Sequence, residues 1–301
     1  MHLAILNIAM THSPSTVRLR DVATALGHEV TLLAATDLVL AVKTGTLVAT
    51  RRGESLPRFD VVIPRLSAAG DPFGLTALRH FERIGVYSPN PSEAIARAHD
   101  KFATTQALAA AGLPVPPSTA VSRAADLPAA LDRLGAGPFV VKTTHGSQGI
   151  GTMFAPTPAA ASAIAETLLA NRVPVLLQGY IPTERTADIR AFVVDGTVVA
   201  AMGRFARPGE FRSNLHRGAL AERHTPTATE AALAVAAAET LGLSIAGIDL
   251  LPTNNGPVIL EVNSSPGLSG IEAVTKVDVA RAMIESITGK PHRLSHETSM
   301  N

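Results

Sequence analysis

Three oxygen-bearing residues stand in an otherwise apolar stretch late in the chain. They are Asp249, in Gly247-Ile248-Asp249-Leu250, and Glu261 and Asn263, in Leu260-Glu261-Val262-Asn263-Ser264-Ser265-Pro266-Gly267. Their apolar neighbours are typical of buried strands. A buried carboxylate is costly unless it is paired or binds a metal. Glu261 and Asn263 are two apart, so both point to one face of a strand. A hairpin turning at Asn254-Asn255-Gly256, with position 249 opposite 261, adds Asp249 to that face. All three are hard oxygen ligands, suited to magnesium or manganese, with room left for phosphate oxygens and water.

A second group could handle phosphate. Val140-Val141-Lys142 runs into a loop with glycines at 146, 149 and 151 and Ser147 between them. Glycines let backbone N–H groups turn toward anionic oxygens. The order Gly-x-x-Gly-x-Gly, without Gly-Lys-Ser/Thr, is neither a P-loop nor a dinucleotide fingerprint. Thr152-Met153-Phe154 follows, which predicts strand–loop–strand and a flap able to fold over a nucleotide. A third group is Arg204 with Arg212, Ser213, Asn214, His216 and Arg217. Arginine forks suit phosphates and carboxylates. Taken alone these residues read as a solvated basic loop; beside a phosphate loop and a metal hairpin, an active-site role is favoured. Arg65 ends the strand Phe59–Arg65, at the edge where open α/β sheets place ligands, and is a candidate substrate contact or a surface arginine. His216 is a second candidate for substrate, and His99 beside Asp100 reads as a helix-surface pair.

The elements that must position these groups are legible in outline. A strand at Leu3–Ala9, a helix at Ser15–Leu26 stopped by Gly27, and a strand at Val30–Ala34 predict a small parallel sheet. No glycine-rich turn follows the first strand, so a Rossmann-like shape here implies no bound dinucleotide. Ser88-Pro89-Asn90-Pro91 is a natural boundary, and Ser92–Ala111 reads as one helix. Strands follow at 138–142 and 175–178, then a hairpin at 189–202 around Asp195-Gly196, a helix at Thr229–Leu241 and the hairpin at 246–263. The chain divides into an N-terminal α/β domain (1–90), a linker helix with a small flap lobe (91–180), a lobe with the metal site (181–289) and a loose tail (290–301).

Composition sets the outer limits. The 301 residues carry a formal net charge of +1, which argues for no nucleic-acid or membrane partner. Cysteine is absent, which excludes disulfides, zinc–thiolate sites and thiol catalysis. No apolar run is long enough to span a membrane, and the first residues lack the marks of a signal peptide, so a cytoplasmic location is expected.

Together these motifs resemble the RimK-type ATP-grasp ligases. The match is carried by Lys142 and its glycine flap, Arg-Ser-Asn-Leu-His-Arg-Gly at 212–218, Asp249, and Glu261-Val262-Asn263-Ser264-Ser265-Pro266-Gly267. Phe59–Arg65, the Ala94–Lys101 helix and Gly267–Glu272 extend it, so that it runs from about residue 1 to 289. The resemblance implies an α/β ATP-grasp fold of α+β lobes behind a Rossmann-like pre-ATP-grasp domain. It implies that Lys101 and Lys142 meet the ATP phosphates and that adenine lies near Gln178, Gly179 and Tyr180. It also implies that Asp188, Arg212, Ser213 and Asn214 border the nucleotide, and that Asp249, Glu261 and Asn263 hold magnesium or manganese, as two ions. The family commonly has glutamate where this chain has Gly179; a backbone contact to adenine survives that change, and a contact through the side chain does not.

The implied reaction joins a carboxylate to an amine. ATP phosphorylates the carboxylate, and an amine attacks the acyl phosphate. Positioning and charge neutralisation then matter more than a protein nucleophile. Arg204, Arg217 and Asn214 are the expected catalytic donors, stabilising developing charge. The amine expected is L-glutamate. The acceptor is a protein C-terminus of the ribosomal type or a growing poly-glutamate. Another amino acid or small amine on a carrier protein or coenzyme remains open, as does a non-catalytic nucleotide-binding regulator. The apolar excess leaves room for a homodimer or homotetramer, and the resemblance implies a homotetramer.

Overall fold

A computed structural model of the chain describes residues 1–9, 13–67, 72–146, 150–183, 187–207 and 219–289. Ser147, Gly149, Arg212, Ser213, Asn214, His216, Arg217 and the tail at 290–301 lie outside these residues.

The N-terminal part contains β1 (His2–Asn7), α1 (Pro14–Ala25), β2 (Glu29–Ala34), β3 (Leu38–Lys43), β4 (Thr46–Arg51), β5 (Glu54–Ser55), β6 (Val61–Arg65) and α2 (Pro72–Arg83). Strand β1 lies between β2 and β6 and runs parallel to both. Its residues Leu3–Leu6 are fully buried because helices cover both faces. Leu3, Ile5, Val61 and Ile63 share a core with Leu19 and Val22 of α1, while Ala4, Leu6 and Val62 share the other with Ala77, Leu78 and Phe81 of α2. Strands β3, β4 and β5 form a separate antiparallel sheet that sequence reading did not identify.

One expectation needs correcting at the next step. Residues 92–111 do not form one helix but two, α3 (Ser92–His99) and α4 (Lys101–Ala110). The break is Asp100, whose backbone is extended and whose carboxylate accepts from the N–H groups of Phe102 (2.8 Å) and Ala103 (3.0 Å). An aspartate N-cap satisfies the orphan donors of a new helix, which makes the break favourable. His99 is corrected with it. It is partly buried rather than on the helix surface, its Nε2 has no hydrogen-bond partner, and burial holds its pKa below the usual histidine value.

The middle of the chain contributes β7 (Ser118–Val121), α5 (Leu127–Asp132), β8 (Phe139–Thr143), β9 (Thr152–Ala155), α6 (Pro158–Ala170) and β10 (Val175–Gly179). These strands form an antiparallel sheet in the order β7-β10-β8-β9. Phe139, Val141, Val175 and Leu177 face α5 and α6, so the alternate residues Lys142, Leu176 and Gln178 face the other way, toward the last lobe.

That lobe holds β11 (Ala187–Val194), β12 (Thr197–Phe205), β13 (Leu220–Arg223), α7 (Ala228–Leu241), β14 (Ile245–Leu251), β15 (Val258–Asn263), α8 (Ser269–Thr275) and α9 (Val279–Thr288). Its strands are antiparallel, in the order β13-β12-β11-β14-β15. Helix α7, opened by a Thr227–Glu230 capping box, buries Leu233, Ala234 and Ala237 against Ala191, Ile248 and Val262. Buried Asn90 ties the N-terminal part to this lobe, donating to the carbonyls of Ile245 (2.7 Å) and Ser264 (2.9 Å) and accepting from the Ile245 N–H. Among the described residues no helix is long and apolar enough to cross a membrane.

Candidate active site

The face of the five-stranded sheet away from α7 carries the charges. Asp188 pairs with Arg204 across β11 and β12, Arg190 with Asp249 across β11 and β14, and Asp249 with Glu261 across β14 and β15. Asn263 stands opposite Gly247, two positions along from Glu261. Period-two alternation puts all of these side chains on one face.

Asp249 does not stand free on it. It is 4% exposed, and both of its oxygens are held. Arg190 donates through Nε to Oδ1 and through Nη2 to Oδ2 (2.8 Å), and Arg204 Nη2 lies 3.0 Å from Oδ1. Arg204 in turn makes a two-pronged contact with Asp188, at 2.6 and 2.7 Å. Burial alone would raise the pKa of Asp249, but Arg190 and Arg204 outweigh it and hold the carboxyl below its usual range. Burial likewise works against the charge on Arg204, and Asp249 and Asp188 raise its pKa nonetheless. Sequence reading missed Arg190. Its signal was present: charges at 188 and 190, two apart in an apolar strand, follow the same pattern as Glu261 and Asn263.

Two lysines face this surface. Lys101 begins α4, its N–H donates to the carbonyl of Thr144 (2.9 Å), and its Nζ donates to the carbonyl of Gly146 (2.8 Å) while lying 3.7 Å from Glu261 Oε1. Lys142 comes from β8. Burial pushes its pKa down to about 8; Glu261 and Asp249 oppose that, and Lys101 adds to it. Lys101, Lys142, Gln178, Leu260 and Glu261 enclose a space of about 20 Å³. Small-molecule sites usually hold roughly 300–1,000 Å³, so this space by itself is too small for a nucleotide. The flap glycine Gly151 has φ +74°, and a Cβ there would meet Thr143 Oγ1 at 2.5 Å, so glycine is required on both counts.

The remaining sequence candidates divide. Gln178 is buried, and its Nε2 donates to Ser118 Oγ at 3.0 Å. The N–H groups of Gly179 and Tyr180 donate to the carbonyls of Pro117 and Pro138, both at 2.9 Å, so a base could meet the backbone of these two residues only through their carbonyl groups. Asp188 lines a cavity of about 790 Å³, with Ile181, Thr183, His224 and Asn254. Arg65 reaches the last lobe, its Nη2 donating to the Pro266 carbonyl at 2.9 Å.

The donor chemistry suits a divalent ion, with a condition. Among the described residues no three His, Asp or Glu side chains come together, so an ion at Asp249, Glu261 and Asn263 would complete its shell with phosphate oxygens and water. Asn263 Nδ2 donates to the Gly247 carbonyl at 3.2 Å, which leaves its Oδ1 as the oxygen to offer.

Comparison with known proteins gives this arrangement its class. Residues 1–95 match the RimK PreATP-grasp domain and residues 98–287 the RimK-like ATP-grasp domain. The chain therefore belongs to the RimK-like ATP-grasp family, and it is an ATP-grasp ligase of the acid–amino-acid type. Among its relatives is a protein named probable alpha-L-glutamate ligase 2 from Shewanella sp. (strain MR-4), 43% identical over 273 residues and 91% of each chain. Another is probable alpha-L-glutamate ligase 1 from Shewanella frigidimarina (strain NCIMB 400), 40% identical over 99% of each chain. The fold is that of a RimK domain ATP-grasp protein from Sphaerobacter thermophilus DSM 20745, with TM-score 0.75, 21% identity, and 95% of this chain and 99% of that one covered. It is also that of D-alanine–D-alanine ligase from Bacillus anthracis, with TM-score 0.68, 17% identity, and 96% of each chain covered.

Proposed function

We propose that this ligase adds L-glutamate through its amine to a carboxylate acceptor, either the C-terminus of a protein or peptide or a growing glutamate oligomer. The observation that carries the reading is the convergence of Lys101 and Lys142 on the face that bears Asp249, Glu261 and Asn263. Relatives about 43% identical bear the name glutamate ligase, which supports the choice of amino acid.

Each group has a task in that reaction. Lys101 and Lys142 stand where they can neutralise phosphate oxygens of ATP as the acceptor carboxylate attacks the terminal phosphorus. Asp249, Glu261 and Asn263 would hold magnesium or manganese, as two ions. Such ions supply electrostatic stabilisation of the transferring phosphoryl group. Arg204 keeps Asp249 in place from behind, and Asp188 keeps Arg204 in place. Arg212, Ser213, Asn214, His216 and Arg217, beyond the described residues, are proposed to complete the phosphate and substrate contacts. The flap carrying Gly146, Ser147, Gly149 and Gly151 closes to keep water from the acyl phosphate. Gln178, Gly179 and Tyr180 border the base.

The test is ADP release with ATP and magnesium, across the twenty amino acids, with protein C-termini and glutamate oligomers as acceptors, followed by mass spectrometry. Products heavier in steps of one glutamate residue are expected. Release stimulated only by another amino acid would overturn the glutamate reading. No stimulated release with any acceptor would favour a nucleotide-binding regulator.

A further inference from the structure

The apolar rows on one face of the N-terminal sheet end on polar residues. Leu3 and Ile5 of β1 and Val61 and Ile63 of β6 lie in one core. The next positions on that face are Asn7 and Arg65, which are register partners at the carboxyl edge of the parallel strands. Each bears a donor that nothing among the described residues satisfies. Asn7 Nδ2 and Arg65 Nε are shut off from solvent without a hydrogen-bond partner, and so is Ser265 Oγ in the loop after Asn263.

The amide of Asn7 is oriented by its neighbours. Ser13 Oγ donates to Thr16 Oγ1 and Thr16 Oγ1 donates to Asn7 Oδ1, both at 2.8 Å, so the amide NH2 is the group left over. Asn7 is only 5% exposed. Arg65 makes one charge-assisted contact, to the carbonyl of Pro266, next to Ser265. No carboxylate among the described residues offsets its charge, and burial alone lowers its pKa to about 10. Buried cations are normally paired with an anion. The orphaned Nε of this cation, with two further orphaned donors on Asn7 and Ser265, defines a seat for two anionic oxygens.

We propose that Asn7, Arg65 and Ser265 form a carboxylate-binding subsite that seats one of the two carboxylates of the incoming acidic amino acid, whose amine is the reacting group. The proposal rests on the glutamate-adding reading and deepens it. Its location fits. Pro266 accepts from Arg65 through its carbonyl, and its Cβ packs so closely on Gly247 that a Cβ there would come within 2.8 Å. Gly247 stands opposite Asn263, so an amino acid anchored at Arg65 lies beside the face that bears the candidate metal ligands. In this arrangement the three donor atoms are closed over. Binding therefore moves the 264–267 loop, and the ligand carboxylate replaces the Pro266 carbonyl on Arg65.

The experiment is calorimetric binding to the full chain with magnesium and a non-hydrolysable ATP analogue. The probes are L-glutamate and its two mono-amides, L-glutamine and L-isoglutamine. The wild type is expected to bind glutamate at least about tenfold more tightly than one of the amides, the scale of a charge-assisted hydrogen bond. Arg65→Met and Asn7→Asp are expected to weaken glutamate binding by at least about tenfold and to erase that preference, with analogue affinity unchanged. Arg65→Lys restores part of the binding. Thermal melting separates a ligand role from a structural one. Arg65→Met melts at or above the wild type because it removes an uncompensated charge, and Asn7→Asp melts above it because it supplies the counter-ion. Arg65→Met with wild-type affinity and wild-type preference overturns the proposal, as does a wild type indifferent to amidation. If the binding pattern holds but no amino acid stimulates ADP release, the ligation reading falls and the subsite stands.

Discussion

Two arginine environments in this molecule are opposites. Arg190 and Arg204, on the central strands of the last lobe, are matched by Asp249 and Asp188 in a closed set of short contacts. Arg65, on the N-terminal sheet, is half-buried and meets a carbonyl and, among the described residues, no anion. In the first set each arginine has its carboxylate, so the arginine charges serve to fix geometry. The second is incomplete, so its charge is free to recognise something. The residue type is the same in the two places; charge balance is what separates a positioning arginine from a binding one.

The comparison can be broken most forcefully at Asp249. Asp249→Ala leaves Arg190 and Arg204 buried with only Asp188, and unfolding in urea should show a loss of about 3–5 kcal/mol, with ADP release abolished. A loss below about 1 kcal/mol would mean that the guanidiniums find other partners and that the set is not closed. A smaller effect is expected at Arg190. Arg190→Leu leaves Arg204 to neutralise Asp249, so the loss should be about 1–3 kcal/mol by the same measurement. Arg65→Met should differ in sign, with stability at or above that of the wild type.

The smallest effect is a slope with pH. Lys142 titrates near 8 in the folded chain against 10.5 for an unperturbed lysine. Below about pH 8 both states hold the proton, and above about 10.5 neither does. Between these values the unfolded chain binds the proton that the folded chain lacks, so stability rises with pH, by at most about 1.4 kcal/mol per unit. Lys142→Met should remove that rise in urea unfolding followed from pH 8 to 10.5. In the wild type, nucleotide affinity should fall over the same range, as the charge that meets phosphate is lost; a flat profile would take Lys142 out of the phosphate site.

Much of the site was legible because strand periodicity is local. The face shared by Glu261 and Asn263 follows from their spacing, but the register leaving the turn, Leu251 opposite Val258 and Leu250 opposite Ile259, shifts between Leu250 and Asp249, and that irregularity is what sets Asp249 opposite Glu261. The flap was readable for the same reason, since a lysine, a glycine loop and a second apolar run are consecutive. The helix break at Asp100 was less so. Alanine-rich helical sequence continues on both sides, and only the contact of Lys101 with Thr144 shows why a new helix begins there.

Local sequence thus determined which side chains share a strand face, where the glycine turns fall, and which oxygen-bearing residues need a partner. The tertiary structure alone decided who the partners are. Arg190 and Asp249 are 59 positions apart and meet because β11 lies beside β14; Arg65 and Pro266 are 201 apart and meet across two domains. Periodicity is set by one residue's backbone and its immediate neighbours. Strand order and charge compensation are set by the cooperative burial of surfaces far apart in the chain, which no local pattern encodes.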